Sequence, residues 1–272
     1  MKDLPARTEP FNGKVVVVMP AYNAGNTLSK TVQAIPPGWV DEVIVVDDCS
    51  WDNTVDVAKQ LKLKVFTHRW NRGYGGNQKT CYNAALESGA EVVVMLHPDY
   101  QYDPAIIPEI VQPILRGDVD VVFASRFLGA PLKGNMPLYK FIFNRILTTL
   151  QNLVQRTSFT ECHTGYRAYS RRILESIPYE RNSEGFVFDN EIIGQLLIAH
   201  ARFMEIPVET RYEKDSSTVS LTSSITYGLG VLWTLIRYWF HVQGIMACRK
   251  FSIDSSNESC GKTKKNAGAE TH

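Results

Sequence analysis

Residues 42–54 read EVIVVDDCSWDNT, and this stretch decides the fold class of the chain. Its first half is an apolar, β-branched run typical of a buried strand, and two adjacent acids, Asp47 and Asp48, follow it directly. Ligands of α/β proteins lie beyond the carboxyl ends of parallel strands, so carboxylates at this position are predicted to face a binding site. No Lys or Arg occurs between Asp41 and Asp56, and this local excess of acids favours sugar hydroxyls, a base edge or a hard cation as the ligand.

The flanking sequence repeats the order of strand, loop and helix, which predicts an α/β fold with a mostly parallel central sheet and helices on both faces. The predicted strands are 15–19, 42–46, 64–67, 91–96, 120–124 and 201–207. The predicted helices are 26–34, 53–60, 77–88, 105–115, 138–155 and 188–199. Between the last two helices, residues 161–167 are predicted to form a polar turn.

Five parts are predicted along the chain, which are an N-terminal extension (1–13), a catalytic domain (14–212), a mobile polar loop (213–224), an apolar helix (225–246) and a disordered tail (247–272). The most apolar part of the helix, 225–240, is too short at about 1.5 Å per residue to span a hydrocarbon core of about 30 Å. Its aromatic residues, with basic residues at the far end, fit an amphipathic helix that lies at a membrane surface. A helix packed on the sheet or on a second subunit is the other interpretation.

The composition excludes several classes of protein. With 29 basic and 28 acidic residues and a formal net charge of +1, the chain has no overall positive field with which to bind nucleic acid. Its five cysteines include no Cys-x-x-Cys pair, so reduced thiols in a cytosolic setting are expected and a structural zinc site is not. The first 14 residues contain no apolar signal segment, which argues against secretion.

The loop after the first predicted strand, MPAYNAG at 19–25, excludes two common nucleotide-binding motifs. It contains neither Gly-x-Gly-x-x-Gly nor Gly-Lys-Ser/Thr, and without those glycines the backbone cannot close on a pyrophosphate at the following helix. A dehydrogenase and a P-loop ATPase are therefore disfavoured.

A second polar loop follows the fourth predicted strand and reads HPDYQYDP at 97–104. If this loop is extended, the side chains of Asp99 and Gln101 point the same way and can share one divalent cation with a diphosphate. Such a cation neutralises the charge that builds up on a leaving diphosphate when a nucleotide sugar is cleaved. The alternative is a polar turn in which Asp99 accepts hydrogen bonds from backbone N–H groups.

Six segments follow one another along the chain in a defined order. They are PAYNAGNTL (20–28), EVIVVDDCSWDNT (42–54), NRGYGGNQKTCYNAAL (71–86), the acid-containing loop 97–104, DVVFASRF (120–127) and TGYRAYSR (164–171). These segments occur in the same order in family 2 glycosyltransferases of the GT-A fold, and the chain resembles that family over roughly residues 14–212. It most resembles the branch that contains dolichyl-phosphate mannose synthase and the bacterial polyprenyl-phosphate glycosyltransferases. The resemblance implies a GT-A fold and a hexosyltransferase activity.

The donor-binding residues that the resemblance implies come from several loops. They are Pro20, Ala21, Tyr22, Asp48, Asn71, Gly73, Gly76 and His97. Of the two adjacent acids, Asp48 is expected to contact the base edge or the ribose, whereas Asp47 is the one that can merely cap the next helix. The glycines, including Gly75, are expected to form a flexible loop beside the nucleotide and the donor sugar.

Asp99 and Gln101 match the family positions that hold a cation, so Mg²⁺ or Mn²⁺ is the expected cofactor. His97 departs from the family pattern, because a carboxylate normally occupies this position. A neutral imidazole can donate a hydrogen bond to a phosphate or ribose oxygen, or it can ligate Mn²⁺. The alternative is that His97 only packs beside Pro98.

The resemblance also implies an acceptor side. Arg126 and Arg167 are candidates to bind the phosphate of a lipid acceptor, although each can instead pair with a carboxylate. Glu161 stands where the family has Asp, and its extra methylene moves the carboxylate by about 1 Å. Asp189 and Glu191 are candidates for the base that a sugar hydroxyl would need, or for a helix cap and a solvated face. The predicted catalytic residues are Asp99, Glu161, Asp189 and Glu191.

The expected function is inverting transfer of a sugar from a UDP- or GDP-sugar to a polyprenyl phosphate. Two alternatives stay open, which are transfer to a sugar hydroxyl of a growing cell-surface glycan and a catalytically weak subunit that only binds nucleotide sugars. The expected partners are the donor, the acceptor and the membrane surface, with a homo-oligomer as a further option and no nucleic acid. The expected location is cytoplasmic, peripheral at the inner face of the membrane.

Overall fold

The computed structural model describes residues 13–129, 136–211 and 221–253. Its strands are β1 (Val15–Ala21), β2 (Glu42–Asp47), β3 (Lys64–Thr67), β4 (Val92–Met95), β5 (Val121–Ser125), β6 (Arg167–Ser170) and β7 (Phe203–Pro207). They form one sheet in the order β3-β2-β1-β4-β6-β5-β7, in which only β6 is antiparallel to its neighbours. The predicted α/β class and the mostly parallel sheet are confirmed.

Helices cover both faces of this sheet. The α-helices of the described ranges are α1 (Leu28–Gln33), α2 (Thr54–Gln60), α3 (Gly73–Glu87), α4 (Ile107–Leu115), α5 (Leu138–Gln155), α6 (Arg171–Ser176), α7 (Phe188–Ile198) and α8 (Leu221–Val242). Alternate residues of β1 enter two different apolar clusters, with Val15 and Val17 in one and Val16 and Val18 in the other. Because both faces are buried, the strand is a continuous apolar run rather than an alternating one.

Strand β6 is the element that the sequence analysis missed, since a polar turn was predicted over 161–167 and no strand after it. Its sequence, RAYS, begins with a buried arginine, and charged residues are rarely buried in strands. The strand pairs antiparallel with both β4 and β5, so it joins the first half of the sheet to the second. Tertiary pairing on both edges outweighs the weak local preference.

Helix α3 begins at Gly73, four residues before its predicted start, so Gly75 and Gly76 lie in a helix and not in a flexible loop. The amides of both glycines donate to the Glu184 carbonyl, at 2.7 and 3.2 Å. A Cβ atom on Gly75 would lie 2.3 Å from the Ser183 carbonyl oxygen. The glycine is therefore required by the close approach of two backbones.

We expect Gly75→Ala to lower the free energy of unfolding by about 1–3 kcal/mol, which a thermal or urea melt would measure. Alanine is favoured over glycine within a helix by about 1 kcal/mol, but a side-chain rotation cannot relieve a clash with a backbone oxygen. The matched control is Gly185→Ala, because an added Cβ at Gly185 meets no atom within 4 Å. Equal stability of the two variants would contradict the close contact.

The C-terminal bounds differ from those predicted. Helix α8 runs from Leu221 to Val242, so the predicted loop residues 221–224 are helical and the helix ends before 246. The predicted tail is partly ordered, because Cys248 and Phe251 are buried against Tyr238. The rest of the predicted loop (212–220), the predicted extension (1–12) and the tail beyond 253 lie outside the described residues.

Helix α8 also packs on the protein, through contacts of Val231 and Leu235 with Leu147 of α5. This side of α8 therefore packs on another helix rather than on the sheet or a second subunit, which were the two surfaces expected in the alternative interpretation. In the ranges that the structure covers, no helix combines the length and the apolarity that crossing a bilayer requires.

Candidate active site

Three loops meet at the carboxyl edge of the sheet, because β2, β1 and β4 are neighbours. The loop after β2 is joined to β1 by the Asp48 amide, which donates to the Ala21 carbonyl (2.8 Å). The loop after β4 is held by the Thr31 hydroxyl, which donates to the Pro98 carbonyl (3.2 Å). The fold thus brings the predicted donor-binding loops to one edge of the molecule.

Asp48 organises the loop that leads into α3. Its carboxylate accepts hydrogen bonds from the amides of Arg72 (2.8 Å) and Gly73 (2.9 Å), and it contacts Nδ1 of His68 at 2.7 Å. Gly73 has a φ of 79°, a conformation that favours glycine, and its amide also contacts Oδ1 of the exposed Asn71 at 3.0 Å. Both oxygens of Asp48 are bonded to protein, so its contact with a nucleoside stays a prediction.

Asp47 does not cap α2, whose N-cap residue is Asn53. Its Oδ2 accepts instead from the Ser50 amide at 3.1 Å and closes the turn after β2. Its Oδ1 is buried and has no hydrogen-bond partner, which is costly for a carboxylate. Of the two acids, Asp47 is therefore the one that has an acceptor atom without a hydrogen-bond partner. This observation does not support the expectation that Asp48, rather than Asp47, contacts the base edge or the ribose.

Of the three donor-binding residues predicted in the first loop, one has an exposed side chain. Pro20 and Ala21 belong to β1 and are buried, paired with residues of β2. Tyr22 is 52% exposed at the same edge. Among these three, Tyr22 is the residue that can stack on a base or a sugar ring.

Asp99 is exposed, and its Oδ1 accepts a hydrogen bond from the Gln101 amide (3.0 Å). The intervening Tyr100 has a φ of 56°, so the loop is not extended but forms the polar turn that the sequence analysis gave as the alternative, with Asp99 accepting from a backbone N–H group. A carboxylate and an amide oxygen are hard donors that suit Mg²⁺ or Mn²⁺. No cluster of three or more His, Cys, Asp or Glu is arranged for a metal within the described residues, so a cation here would take further ligands from a diphosphate. The exposed carboxylate of Asp99 fits a cation on that condition, whereas the participation of the Gln101 side chain stays a prediction.

Two cations that the sequence analysis missed lie beside this loop, on the ring of Tyr100. The Lys30 ammonium is 4.2 Å from the ring centroid, and the Arg211 guanidinium carbon is 4.9 Å from it. The Arg211 amide also donates to the Gln101 carbonyl at 2.9 Å. Both residues are far from Tyr100 in sequence, and only the tertiary fold brings them together. The guanidinium of Arg211 is also paired with Asp103 at 3.0 Å, so part of its charge is balanced within the protein.

His97 packs against Tyr74 and Gly165. Its ring stacks on Tyr74 with centroids 5.5 Å apart, and a Cβ on Gly165 would lie 2.7 Å from its Nε2. The Tyr74 hydroxyl donates to Oδ2 of Asp189 (2.7 Å) and lies 3.3 Å from Nε2 of His97. The hydroxyl has a single proton, which it donates to Asp189, so in the contact with His97 the Tyr74 oxygen is the acceptor and Nε2 is the donor. Burial, followed by the Asp189 charge, raises the pKa of Tyr74 well above its usual value.

Arg167 does not face solvent, so its predicted role in binding an acceptor phosphate is wrong. Its guanidinium is buried and donates to the carbonyls of Thr164 (2.7 Å), Cys162 (3.0 Å) and Asp189 (3.2 Å). It also lies 3.5 Å from Oδ1 of Asp189, which accepts from Gln78 as well. Burial acts to lower the pKa of Arg167, but the charges of Asp189, Tyr169 and Tyr74 and a hydrogen bond with Tyr169 together outweigh it, and the pKa is raised. Arg167 therefore ties β6 to α7.

Arg126 and Glu161 form a second internal pair, which is the alternative that the sequence analysis gave for Arg126, and the role of Arg126 in binding an acceptor phosphate stays a prediction. Glu161 is fully buried, with Oε1 bound by the Arg126 guanidinium and Oε2 by the Arg126 amide (2.7 Å). A buried carboxylate already paired with arginine cannot reach a reacting group, so the predicted catalytic role of Glu161 is wrong. The pair positions the loop after β5.

Glu191 holds the C-terminal segment, and its predicted role as a general base is wrong. It is 3% exposed and accepts from the Ser183 amide (2.5 Å), the Ser183 hydroxyl (2.8 Å) and the Lys250 ammonium. Lys250 is further fixed by its carbonyl, which accepts from Gln195 at 2.7 Å. Asp189 is also buried and has protein partners on both oxygens, so it is not placed as a free base.

Comparison with known families identifies one match over more than half of the chain. The sequence model described as Glycosyl transferase family 2 matches residues 16–177. That range contains all of β1 except Val15, the whole of β2 to β6, and therefore the Asp47–Asp48 turn and the Asp99–Gln101 loop.

Two relatives and one solved structure are similar over most of the chain. The UDP-N-acetylglucosamine–dolichyl-phosphate N-acetylglucosaminyltransferase of Methanococcus voltae is 26% identical over 242 residues, covering 82% of this chain and 94% of the relative. The undecaprenyl-phosphate mannosyltransferase of Micrococcus luteus is 24% identical over 243 residues, covering 82% and 98%. Glucosyl-3-phosphoglycerate synthase from Mycobacterium tuberculosis, solved with Mn²⁺, UDP and phosphoglyceric acid, has a TM-score of 0.64 at 18% identity and covers 84% of this chain and 79% of that one. This last similarity shows the GT-A type of fold.

Proposed function

Because this chain belongs to glycosyl transferase family 2, we propose that it moves a sugar from a UDP- or GDP-sugar to a polyprenyl phosphate. The transfer proceeds with inversion at the anomeric carbon. One observation carries the proposal. The exposed Asp99 and its neighbour Gln101 sit at the carboxyl edge of the sheet, flanked by the cations of Lys30 and Arg211. This arrangement suits a diphosphate with a divalent cation.

The names of the relatives support the acceptor class. The enzymes of Methanococcus voltae and Micrococcus luteus are named for dolichyl phosphate and undecaprenyl phosphate, both of which are polyprenyl phosphates. For the cofactor, the support is that a structural neighbour was solved with Mn²⁺ and UDP. We place the reaction at the inner face of the membrane, where a cytoplasmic donor meets a lipid acceptor.

In the proposed reaction, an oxygen of the acceptor phosphate attacks the anomeric carbon while the bond from that carbon to the diphosphate oxygen breaks. The bonding electron pair leaves with the nucleoside diphosphate. Lys30 and Arg211 stabilise the charge on the departing diphosphate. A divalent cation held by Asp99 and Gln101 would add charge neutralisation when bound.

The absence of a free base among the predicted catalytic acids favours a phosphate acceptor over a sugar hydroxyl. A hydroxyl must lose a proton during attack, whereas a phosphate is already anionic at neutral pH. Of the four predicted acids, Glu161, Asp189 and Glu191 are buried and bonded within the protein, and only Asp99 is exposed. Asp99 is assigned to the cation, so none of these four acids remains as a base for a hydroxyl.

The test is transfer of label from UDP- and GDP-sugars into organic solvent, with and without undecaprenyl phosphate and with Mg²⁺ or Mn²⁺. We expect organic-soluble product with one donor, only when the polyprenyl phosphate is present. Transfer only to a soluble sugar or glycan would favour the hydroxyl-acceptor alternative. Tight donor binding with no turnover on any acceptor would favour a subunit that only binds nucleotide sugars.

We expect Arg211→Gln to lower the rate of transfer by about tenfold or more, because one cation beside the diphosphate is lost. The rate of product formation at saturating donor measures this effect. The control is Arg116→Gln, since Arg116 is an exposed arginine after α4, distant in sequence from the site residues. Equal losses in both variants would show that the effect is not local to the diphosphate.

A further inference from the structure

The chain turns back onto the protein after α8. Phe251 is buried there and packs against the ring of Tyr238, with ring centroids 5.6 Å apart. The Arg181 guanidinium donates to the Ser252 carbonyl at 2.9 Å. We call residues 248–253 the return segment. Its position is therefore fixed both by apolar packing and by hydrogen bonds to its backbone.

Lys250 joins the return segment to the loop 182–187, which leads into α7. Its ammonium donates to the Glu191 carboxylate and to the Ser183 hydroxyl (3.0 Å). The amide and the hydroxyl of Ser183 both donate to the same carboxylate. Because the Glu191 side chain is almost completely buried, its charge needs the ammonium beside it. This ion pair holds the loop from the C-terminal side.

The same loop completes the first turn of α3. The first N–H groups of an α-helix have no acceptor within the helix. For α3, the Glu184 carbonyl accepts from the amides of Gly75 and Gly76. The Asn182 carbonyl accepts from the Lys79 ammonium at 2.6 Å. The backbone of the loop is therefore part of the structure at the N-terminus of α3.

The first turn of α3 carries Tyr74 into the candidate active site. Phe186, at the end of the loop 182–187, packs on the Tyr74 ring with centroids 4.8 Å apart. The opposite contact of Tyr74 is the stacked ring of His97, at 5.5 Å. His97 lies two residues before Asp99, the exposed acid of the proposed cation site. Aromatic contacts thus connect the loop to the polar turn after β4.

We propose that Lys250 is a positioning residue for the transfer reaction, an inference that rests on the proposed function. It fixes the loop 182–187, on which the placement of Tyr74 and His97 depends. A displacement of about 1 Å at a reacting centre can cost about 100-fold in rate, so a loosened loop lowers the rate even though Lys250 touches no substrate. Lys250 lies outside residues 16–177, which the family model matches, so this contribution comes from a part of the chain beyond the family motifs.

The test compares Lys250→Met with Lys250→Arg, which keeps the charge, and with Lys59→Met, which replaces an exposed lysine in the last turn of α2. For Lys250→Met we expect kcat of transfer to fall about tenfold while KM for the donor stays within about twofold, because the groups proposed to hold the diphosphate are unchanged. Lys250→Arg should keep at least about half of kcat, and Lys59→Met all of it. Calorimetric titration should give the same donor stoichiometry for every variant, which excludes unfolded protein as the cause of a lower rate.

Hydrogen exchange of the free protein, measured by mass spectrometry, tests the positioning without any substrate. We expect the amides of residues 73–77 to exchange at least about fivefold faster in Lys250→Met than in the unmodified chain, since the Glu184 carbonyl that accepts from two of them is held less firmly. Exchange over α4, residues 107–115, should be the same in both. Lys250→Arg should restore slow exchange over 73–77.

The inference is overturned if kcat or the exchange over 73–77 is unchanged in Lys250→Met, whatever happens to its melting temperature, because Lys250 would then only stabilise the fold. Equal losses in Lys59→Met would overturn it as well. If the unmodified chain transfers no sugar, the proposed function fails, and the exchange measurement alone decides whether Lys250 positions the loop. If Lys250→Met does not fold, the double variant Glu191→Gln/Lys250→Met, which removes both charges of the pair, replaces it in each comparison.

Discussion

Replacing Arg167 with methionine should lower the free energy of unfolding by about 3–5 kcal/mol, which corresponds to a fall in Tm on the order of 10 °C. The guanidinium is buried and binds three carbonyl oxygens, so its removal leaves those oxygens without their donors. The carboxylate of Asp189 would also lose the positive charge beside it. An unpaired buried charge is among the most costly defects in a protein core.

The measurement is a urea or thermal melt of Arg167→Met beside Arg116→Met, in which an exposed arginine is replaced. The control should change stability by less than about 0.5 kcal/mol. Adding Asp189→Asn to Arg167→Met should recover part of the loss, because the uncompensated charge is removed. If Arg167→Met melts like the control, Arg167 is not an internal tie and the predicted phosphate role would have to be reconsidered.

Asp99→Asn should reduce the rate of transfer by at least about 100-fold without changing the melting temperature of the free protein. The asparagine oxygen can still accept the hydrogen bond from the Gln101 amide, so the turn is retained. What is lost is the negative charge that would hold a divalent cation at the diphosphate.

The matched control for Asp99→Asn is Asp118→Asn, since Asp118 is an exposed acid in the turn after α4, well separated in sequence from the donor-binding loops. Its rate of transfer should equal that of the unmodified chain. Excess Mn²⁺ should recover some of the activity of Asp99→Asn if the defect is weakened cation binding. A rate near normal for Asp99→Asn without added metal would remove this residue from the mechanism.

The fold could be predicted from the sequence because most of its strands are continuous apolar runs that end in polar loops. The predicted bounds of α5 and β3 match the structure, and β1 and β2 extend one or two residues beyond theirs. Strand β6 could not be predicted, because its first residue is a buried arginine whose hydrogen-bond partners are brought to it only by the tertiary structure.

The candidate site could be predicted from the sequence where one loop carries all the functional residues, as it does for Asp99 and Gln101. It could not be predicted where the partner of a charged residue is distant in sequence. Glu191 pairs with Lys250, and Glu161 is bound by Arg126, so the charges that suggest catalysis are used within the protein. Sequence spacing cannot distinguish an internal ion pair from a ligand-binding group, because both need the same residue types.

The most direct test of the account is calorimetric titration of the protein with UDP- and GDP-sugars in the presence and absence of Mn²⁺. We expect one nucleotide to bind at a single site, with an affinity that rises with Mn²⁺ and falls at least about tenfold in Asp99→Asn but not in Asp118→Asn. Binding that is unaffected both by the metal and by the loss of the Asp99 charge would contradict a diphosphate site at this loop.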